Sequence, residues 1–209
     1  MMRIKSLASA PDRGNRYRLV FEDDSVMRLY RQTIEDFGLY PGLELSDEEL
    51  GNLKIAAGQM SAKMRAVRIV AASSVSKGDL ERRLVRKGED PAQAKAAVAW
   101  MSDMSLLDDS SMAQQIIARC ISKGYGRARA KQVLYEKRIP REFWDDALKD
   151  YPEQLDKIMD FLESRLPDDA TEKDVKRVID ALVRRGHSYG TIRRAMQEMA
   201  MNCHDLPEV

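Results

Sequence analysis

A helix–glycine–helix pattern occurs three times in this chain, at a spacing of about fifty residues, and it constrains the fold more than any other feature. Residues 80–98, LERRLVRKGEDPAQAKAAV, read as a helix, a glycine stop and a second helix. Leu84-Val85-Arg86-Lys87-Gly88 aligns with Leu134-Tyr135-Glu136-Lys137-Arg138 and with Leu182-Val183-Arg184-Arg185-Gly186. Nine positions past the Gly88 column stands a small residue each time (Ala97, Ala147, Ala195), followed by Val98, Leu148 and Met196. Self-similarity at a fixed period marks a repeat array, in which each unit is one supersecondary block. Such blocks are near the size at which a lone core is marginal, so stacked neighbours would bury what one unit leaves exposed. The predicted fold is mainly α: three tandem three-helix repeats, preceded by a small N-terminal β-hairpin and short-helix region. The boundaries fall at 1–53 for the extension, 54–107, 108–150 and 151–202 for the repeats, and 203–209 for a frayed tail.

The local signals fill in this plan. Residues 1–15 read as a mobile arm. Residues 16–22 put Tyr17, Leu19 and Phe21 on one face, residues 22–25 supply turn chemistry, and residues 26–31 alternate again, which predicts a hairpin. A short helix at 33–37 is closed by Gly38. Ser46 and Glu49 form a capping box. Gly51 and Gly58 each weaken the helix that follows by about 1 kcal/mol relative to alanine, so a break is expected before Lys63. Ser76 and Asp79 open the next helix, whose apolar stripe is Leu80, Leu84 and Val85. Asp90-Pro91 opens its partner, carrying Ala94, Ala97, Val98 and Met101. In the second unit Met112, Ile116, Ile117, Cys120 and Ile121 make a helical face, with Asp109 as the expected cap. Gly124-Tyr125-Gly126 breaks it, and helices around Leu134 and around Trp144 follow. In the third, Leu155 to Leu162, Val175 to Val183 and Ile192 to Met199 show the same period, capped at Thr171 and Ser188.

Composition excludes more than it assigns. The formal net charge is +1, so no global field points to a polyanion, although a third of the residues are charged. No apolar run approaches the roughly 18 residues of a membrane span, and residues 1–10 lack the apolar core of a signal peptide, so the chain reads as soluble and cytoplasmic; a monomer is expected. Two cysteines, Cys120 and Cys203, are too few for a disulfide framework. No phosphate-binding loop, nucleophile elbow or H-E-x-x-H motif occurs. His187 and His204 are the only imidazoles, and the adjacent Cys203-His204 lacks metal-ligand spacing. Of the paired carboxylates, Asp108-Asp109 and Asp168-Asp169 precede helices, where they stabilise free N–H groups, and Asp145-Asp146 is expected to face water. The reading is of a protein that is not an enzyme and needs no cofactor or metal.

What the sequence does show is basic charge at matching places in each unit. Between Arg119 and Arg141 eight Lys or Arg stand against one acid, Glu136. Arg82, Arg83, Arg86 and Lys87 cluster in the first unit; Lys173, Arg177 and Arg184 share a face in the third, where Arg193-Arg194 follows Gly190. Like charges at i, i+4 cost a few tenths of a kcal/mol in an isolated helix, which points to an acidic surface or a polyanion as their counterpart; an ordinary solvated face is the alternative. The candidate contact residues are Arg82, Arg83, Arg86, Lys87, Lys123, Tyr125, Arg127, Arg129, Lys131, Arg138, Arg184, Arg185, Arg193 and Arg194. Tyr125 is either an exposed aromatic in a basic loop or a residue folded onto its own unit, while Trp100 and Trp144 read as packing residues.

Taken in order, these pieces resemble the RecX family. The resemblance lies in Ser76-x-x-Asp79-Leu80-x-x-x-Leu84-x-x-Lys87-Gly88, Leu106-Leu107-Asp108-Asp109-x-x-Met112-Ala113, Lys123-Gly124-Tyr125-Gly126-Arg127 and Leu134-x-x-Lys137-Arg138-Ile139. It implies tandem three-helix repeats and a regulator of the bacterial recombinase RecA, in homologous recombination, DNA repair and the SOS response. Such a protein would lie in the groove of the RecA–DNA filament, contact the recombinase and single- or double-stranded DNA, and limit ATP hydrolysis and strand exchange. The chain departs from the family pattern at Met112, where an aromatic is usual, at Val75, where a basic residue is common, and at Arg138, where glycine is usual and a side chain strains a left-handed turn. The alternative function is a sequence-nonspecific DNA-binding protein that acts without RecA. A further alternative is a bare scaffold or adaptor.

Overall fold

The computed structural model of the chain describes residues 1–167 and 170–204, the last four by backbone alone. Asp168-Asp169, the side chains of Cys203 and His204, and the expected tail beyond residue 204 lie outside the described residues. The chain divides into two compact units, Met1–Leu107 and a second beginning at Asp108.

The first unit begins with β1 (Met2–Leu7), β2 (Tyr17–Phe21), β3 (Val26–Leu29), α1 (Arg31–Asp36) and β4 (Glu44–Leu45). The strands pair antiparallel in the order β3-β2-β1-β4. The expected hairpin is therefore the middle and edge of a larger sheet, and the expected mobile arm is its strand β1. The sequence hides β1 because a register shift between Ile4 and Ser6 breaks its alternation. Ile4, Leu19, Phe21, Leu29, Leu39 and Leu45 form the buried face, closed by Leu53 from the next helix.

That helix, α2 (Asp47–Ala72), runs 26 residues without the break expected at its glycines. Burial explains the difference. Leu53, Ala62 and Ala66 are fully enclosed, and a fully buried leucine side chain alone is worth about 2 kcal/mol, as much as both glycines cost. At Gly58 an added Cβ would overlap the Gln93 side chain, so this glycine admits a close neighbour. The helix crosses the 53/54 boundary, its first half covering the sheet and its second half packing with α3 (Lys77–Arg86) and α4 (Pro91–Asp103). Ser46, Ser76 and Asp90 cap these helices, Ser46 with Glu49 as a full capping box. Val85, expected in the α3 stripe, is 40% exposed.

The second unit holds two more trios. The first is α5 (Asp109–Ser122), α6 (Arg127–Glu136) and α7 (Trp144–Leu148), around Ala113, Ile117, Cys120, Ala130, Leu134, Ile139 and Leu148. The second is α8 (Leu155–Glu163), α9 (Glu172–Arg184) and α10 (Tyr189–His204), around Ile158, Leu162, Val178, Leu182, Ile192 and Ala195. The cap of α5 is Asp108, not Asp109; Asp109 is buried in the first turn. Asp145 and Asp146 are exposed, and the stretch before them is a 3-10 turn, Arg141–Phe143. Trp144 donates its indole N–H to the Ile139 carbonyl, 3.0 Å, and is a packing residue as expected.

The repeat column marked by Gly88 is left-handed in all three trios: φ is 90° at Gly88, 55° at Arg138 and 89° at Gly186. Arg138 thus adopts the turn that glycine makes elsewhere, at a strain of about 1 kcal/mol.

Candidate partner and nucleic-acid surfaces

In the first unit, one buried carboxylate organises two of the α3 cations and a second holds an arginine of α2. Asp79, at the first turn of α3, is almost fully enclosed; its two oxygens accept from Arg82 at 2.5 Å and pair with Arg83 at 2.8 Å. Glu89, just past the α3 stop, is buried and accepts from Arg65 Nε at 2.6 Å and Ser61 Oγ at 3.0 Å. These pairs remove part of the like-charge penalty inferred from sequence, because two of the four clustered cations share one internal carboxylate. Arg86 and Lys87 are exposed and have no ion-pair partner among the described residues.

The guanidiniums of this unit line a common cleft of about 510 Å³, formed by Arg16, Tyr30, Arg65, Arg68, Arg82, Arg83, Arg86 and Lys87, with Ser61, Ile69, Ala72 and Ser73. Arg68 is positioned by the N-terminal region: it donates to the Tyr30 hydroxyl at 2.8 Å and the Gly14 carbonyl at 3.1 Å. Arg16 pairs with Asp12 at 3.2 Å, and the backbone N–H of Arg16 holds the Asp12 carboxyl below its ordinary pKa. Sequence reasoning missed Arg16, Tyr30, Arg65 and Arg68, because they lie far from α3 in the chain. For Arg65 and Arg68 the signal was present: they follow Ser61 at helical spacing, on one face of α2.

In the second unit the turn between α5 and α6 is locked to the turn between α9 and α10. Gly126 N–H donates to the Arg185 carbonyl at 2.9 Å, and Ala128 N–H to the Gly186 carbonyl at 3.2 Å. A Cβ on Gly126 would overlap the Gly186 carbonyl, and one on Gly186 would overlap the Arg129 backbone. Arg185 donates to the Lys123 carbonyl at 2.7 Å, and its guanidinium lies 5.4 Å from the Tyr125 ring centre and 5.2 Å from that of Phe161. His187 is buried and donates from Nε2 to the Gly124 carbonyl at 3.1 Å; desolvation lowers its pKa. Tyr151 and Gln154 both donate to the Tyr125 carbonyl, and burial pushes the Tyr151 phenol up to about 12. Burial likewise raises the Cys120 thiol.

These contacts sort the sequence-predicted residues. Arg185 is a structural clamp. Tyr125 is half-buried against its own unit and is not an exposed platform. Arg129 pairs with Glu136 at 3.1 Å, and Arg194 pairs with Glu153 and Glu198. Lys123, Arg127, Lys131, Arg138, Arg184 and Arg193 are exposed and make no ion pair among the described residues. Arg127 and Lys131 line a groove with Tyr151, Glu153, His187, Ser188 and Thr191. Arg184 joins Lys173, Lys176 and Arg177 around a shallow depression that also holds Asp174 and Asp180. Tyr135, 70% exposed, lies on α6 at i+4 from Lys131 and i+8 from Arg127, an aromatic on the basic face that the sequence reading passed over. Among the described residues no group of three His, Cys, Asp or Glu could hold a metal, and no helix is long and apolar enough to cross a membrane.

Comparison with known proteins places this architecture. No protein-family model matches the chain. A regulatory protein RecX of Vibrio campbellii is 25% identical over 146 residues, covering 68% of this chain and 94% of that protein. A regulatory protein RecX of Shigella dysenteriae is 36% identical over 96 residues, 41% of this chain and 58% of that protein. A crystal structure of a regulatory protein RecX superimposes with a TM-score of 0.66 at 17% identity, over 94% of this chain and all of that one. The chain is similar in sequence to RecX regulatory proteins and has the fold of a RecX crystal structure. Within a RecX fold, the segment Lys123-Gly124-Tyr125-Gly126-Arg127 acquires a physical reading: both glycines sit at the locked turn, Tyr125 seats Arg185, and only Lys123 and Arg127 face outward with free charge.

Proposed function

We propose that this chain is a non-enzymatic regulator of the RecA recombinase, lying along the groove of the RecA–DNA filament and limiting ATP hydrolysis and strand exchange. The observation that carries this reading is the placement of unneutralised cations on successive helix trios: Arg86 and Lys87 on the first, Arg127, Lys131 and Arg138 on the second, Arg184 and Arg193 on the third. Exposed positive charge that recurs in each trio is suited to an acidic partner that offers the same contact more than once. The RecX relatives supply the regulatory role, and the repeated RecX fold supplies the periodicity. Arg185 and Arg194 serve this function indirectly, by joining separate elements of the second unit, while Arg129 is neutralised within α6 by Glu136.

The test is RecA-driven ATP hydrolysis on single-stranded DNA with the purified chain titrated in. Hydrolysis is expected to fall as the chain approaches equimolar ratio with RecA, and unchanged hydrolysis there would refute the proposal. Reversing Arg127, Lys131 and Arg184 to glutamate should raise the required concentration about tenfold or more, since like-charge juxtaposition at an interface costs more than simple loss of a contact.

A further inference from the structure

The N-terminal sheet has an open edge that takes no part in the surfaces described above. β3 pairs with β2 on one side, and no strand lies on its other side. The alternation of an antiparallel ladder says which backbone groups face that open side. Phe21 N–H donates to the Ser25 carbonyl at 3.0 Å, so Phe21 and Ser25 form a hydrogen-bonded pair. Along the register Leu19/Met27 and Tyr17/Leu29 belong to the same class, and Val20/Val26 and Arg18/Arg28 to the other. The Arg18 carbonyl accordingly turns to the β1 side, where it accepts from Ala8 N–H at 2.9 Å. The backbone N–H and C=O groups of Val26 and Arg28 therefore point outward, and none has a partner among the described residues.

The charges of this sheet are unevenly neutralised. On β1, Arg3 pairs with Glu22 at 3.8 Å and Lys5 with Asp24 at 2.6 Å. Arg18 and Arg28 stand directly opposite each other, in the class of pair whose side chains approach closest, and neither has an ion-pair partner among the described residues. Like charges so placed destabilise a sheet, and a carboxylate beside them removes the penalty. Both arginines are exposed, and Val26 between them and the turn is 44% exposed. On the opposite face Met27 is half-buried against the core of the unit.

We propose that the β3 edge is a docking site for an extended acidic segment of a partner protein, which joins the sheet as an antiparallel fifth strand. Every pairing in this sheet is already antiparallel. Acidic side chains at alternate positions of the segment fall on the face of Arg18 and Arg28, and apolar ones between them fall beside Met27 and extend the core. A second copy of this chain is a poor occupant, because two β3 edges paired antiparallel gather four arginines on one face. None of the cations assigned above to RecA or DNA lies on this edge, and the test contains neither, so the two readings fail separately.

A fluorescein-labelled peptide, Gly-Ser-Val-Glu-Val-Glu-Val-Ser-Gly, is titrated with the full chain at low salt and followed by anisotropy. Saturable binding is expected, and none of its counterpart with lysine for glutamate. Arg28→Glu should weaken binding of the acidic peptide about tenfold and create binding of the lysine peptide, a gain that an unfolded variant does not show. Arg18→Ala should weaken it about threefold. Two changes test the backbone pairing and leave every charge in place. Val26→Pro removes an outward N–H at the first residue of an edge strand, where proline costs no ladder bond. N-methylation of both glutamates blocks the same contact from the peptide side. Each should weaken binding about tenfold. The proposal is overturned if the acidic peptide shows no saturable binding below about 1 mM. It is equally overturned if Arg28→Glu binds it as the parent does, or if Val26→Pro and the N-methylated peptide both leave binding unchanged, which reduces the contact to charge attraction. Should Arg28→Val self-associate in ultracentrifugation while the parent captures no peptide, Arg28 only guards the edge and the proposal falls. Circular dichroism of each variant verifies that lost binding is not lost folding.

Discussion

The helix–glycine–helix turn of the first unit and its counterparts in the second share their letters but not their loads. Around Gly88 an added Cβ would meet nothing within 4 Å, so only its φ of 90° calls for glycine. Gly126 has an ordinary φ of −72°, yet an added Cβ would run into the Gly186 carbonyl. Gly186 carries both demands, a φ of 89° and the close passage of the Arg129 backbone. The charges differ in the same way. The first unit fixes its arginines over buried Asp79 and Glu89, whereas the second leaves Arg127, Lys131 and Arg184 on open helix faces. A repeated motif therefore encodes a local turn, and single copies of it have taken on separate tasks.

The strongest test of this contrast is glycine replacement. Gly186→Ala should destabilise the second unit by about 3 kcal/mol, and Gly126→Ala by nearly as much, because rigid backbone must move. Gly88→Ala should cost the first unit only about 1 kcal/mol of left-handed strain. Each unit carries one tryptophan, Trp100 and Trp144, so thermal unfolding followed by fluorescence in single-tryptophan backgrounds separates the two. Equal losses at Gly88 and Gly186 would break the comparison.

Next in size is the difference between a buried and a rim carboxylate. Asp79→Ala should destabilise the first unit by about 2 kcal/mol, since it removes the partner of two arginines and a favourable charge at a helix start. Glu136→Ala, which loses a half-exposed pair with Arg129, should change the second unit by about 0.5 kcal/mol or less. Arg138→Gly should then stabilise the second unit by about 0.5–1 kcal/mol through relief of its positive φ, measured as an upward shift in Tm.

The smallest effect is one of pH. Burial holds the His187 imidazole below its ordinary pKa of 6.5, so the unfolded chain takes up the proton first as pH falls. The stability that follows from this is complete above about 6.5 and is lost as pH drops from there through the lowered folded value. Denaturant titrations of the second unit between pH 7 and 5 should show this decline, and His187→Gln should flatten it. No histidine lies in the first unit, so its stability should lack this component.

Much of this architecture was legible in particular residues. Ser46 with Glu49, Ser76, Asp90, Thr171 and Ser188 cap helices as their side-chain chemistry dictates. Ala94, Ala97, Val98 and Met101 are buried as their spacing required. The free cations of the candidate surfaces were also visible, but not which ones were free. Arg185 looked like Arg184 in the sequence, yet one clamps the Lys123 carbonyl and the other is open to water.

By itself the sequence determined what depends on neighbours within a turn or two: caps, left-handed stops, apolar stripes and the threefold period. Those rest on backbone dihedrals and short-range hydrogen bonds, which a side chain and its nearest neighbours decide. The tertiary structure alone decided the pairing of β1 with β2 and β4, the continuity of α2, the passage of Gly126 against Gly186, and the gathering of Arg16, Arg68 and Arg86 around one cleft. Each joins groups far apart in the chain, where burial and close backbone approach outweigh local preference, and no local pattern records which distant partner will arrive.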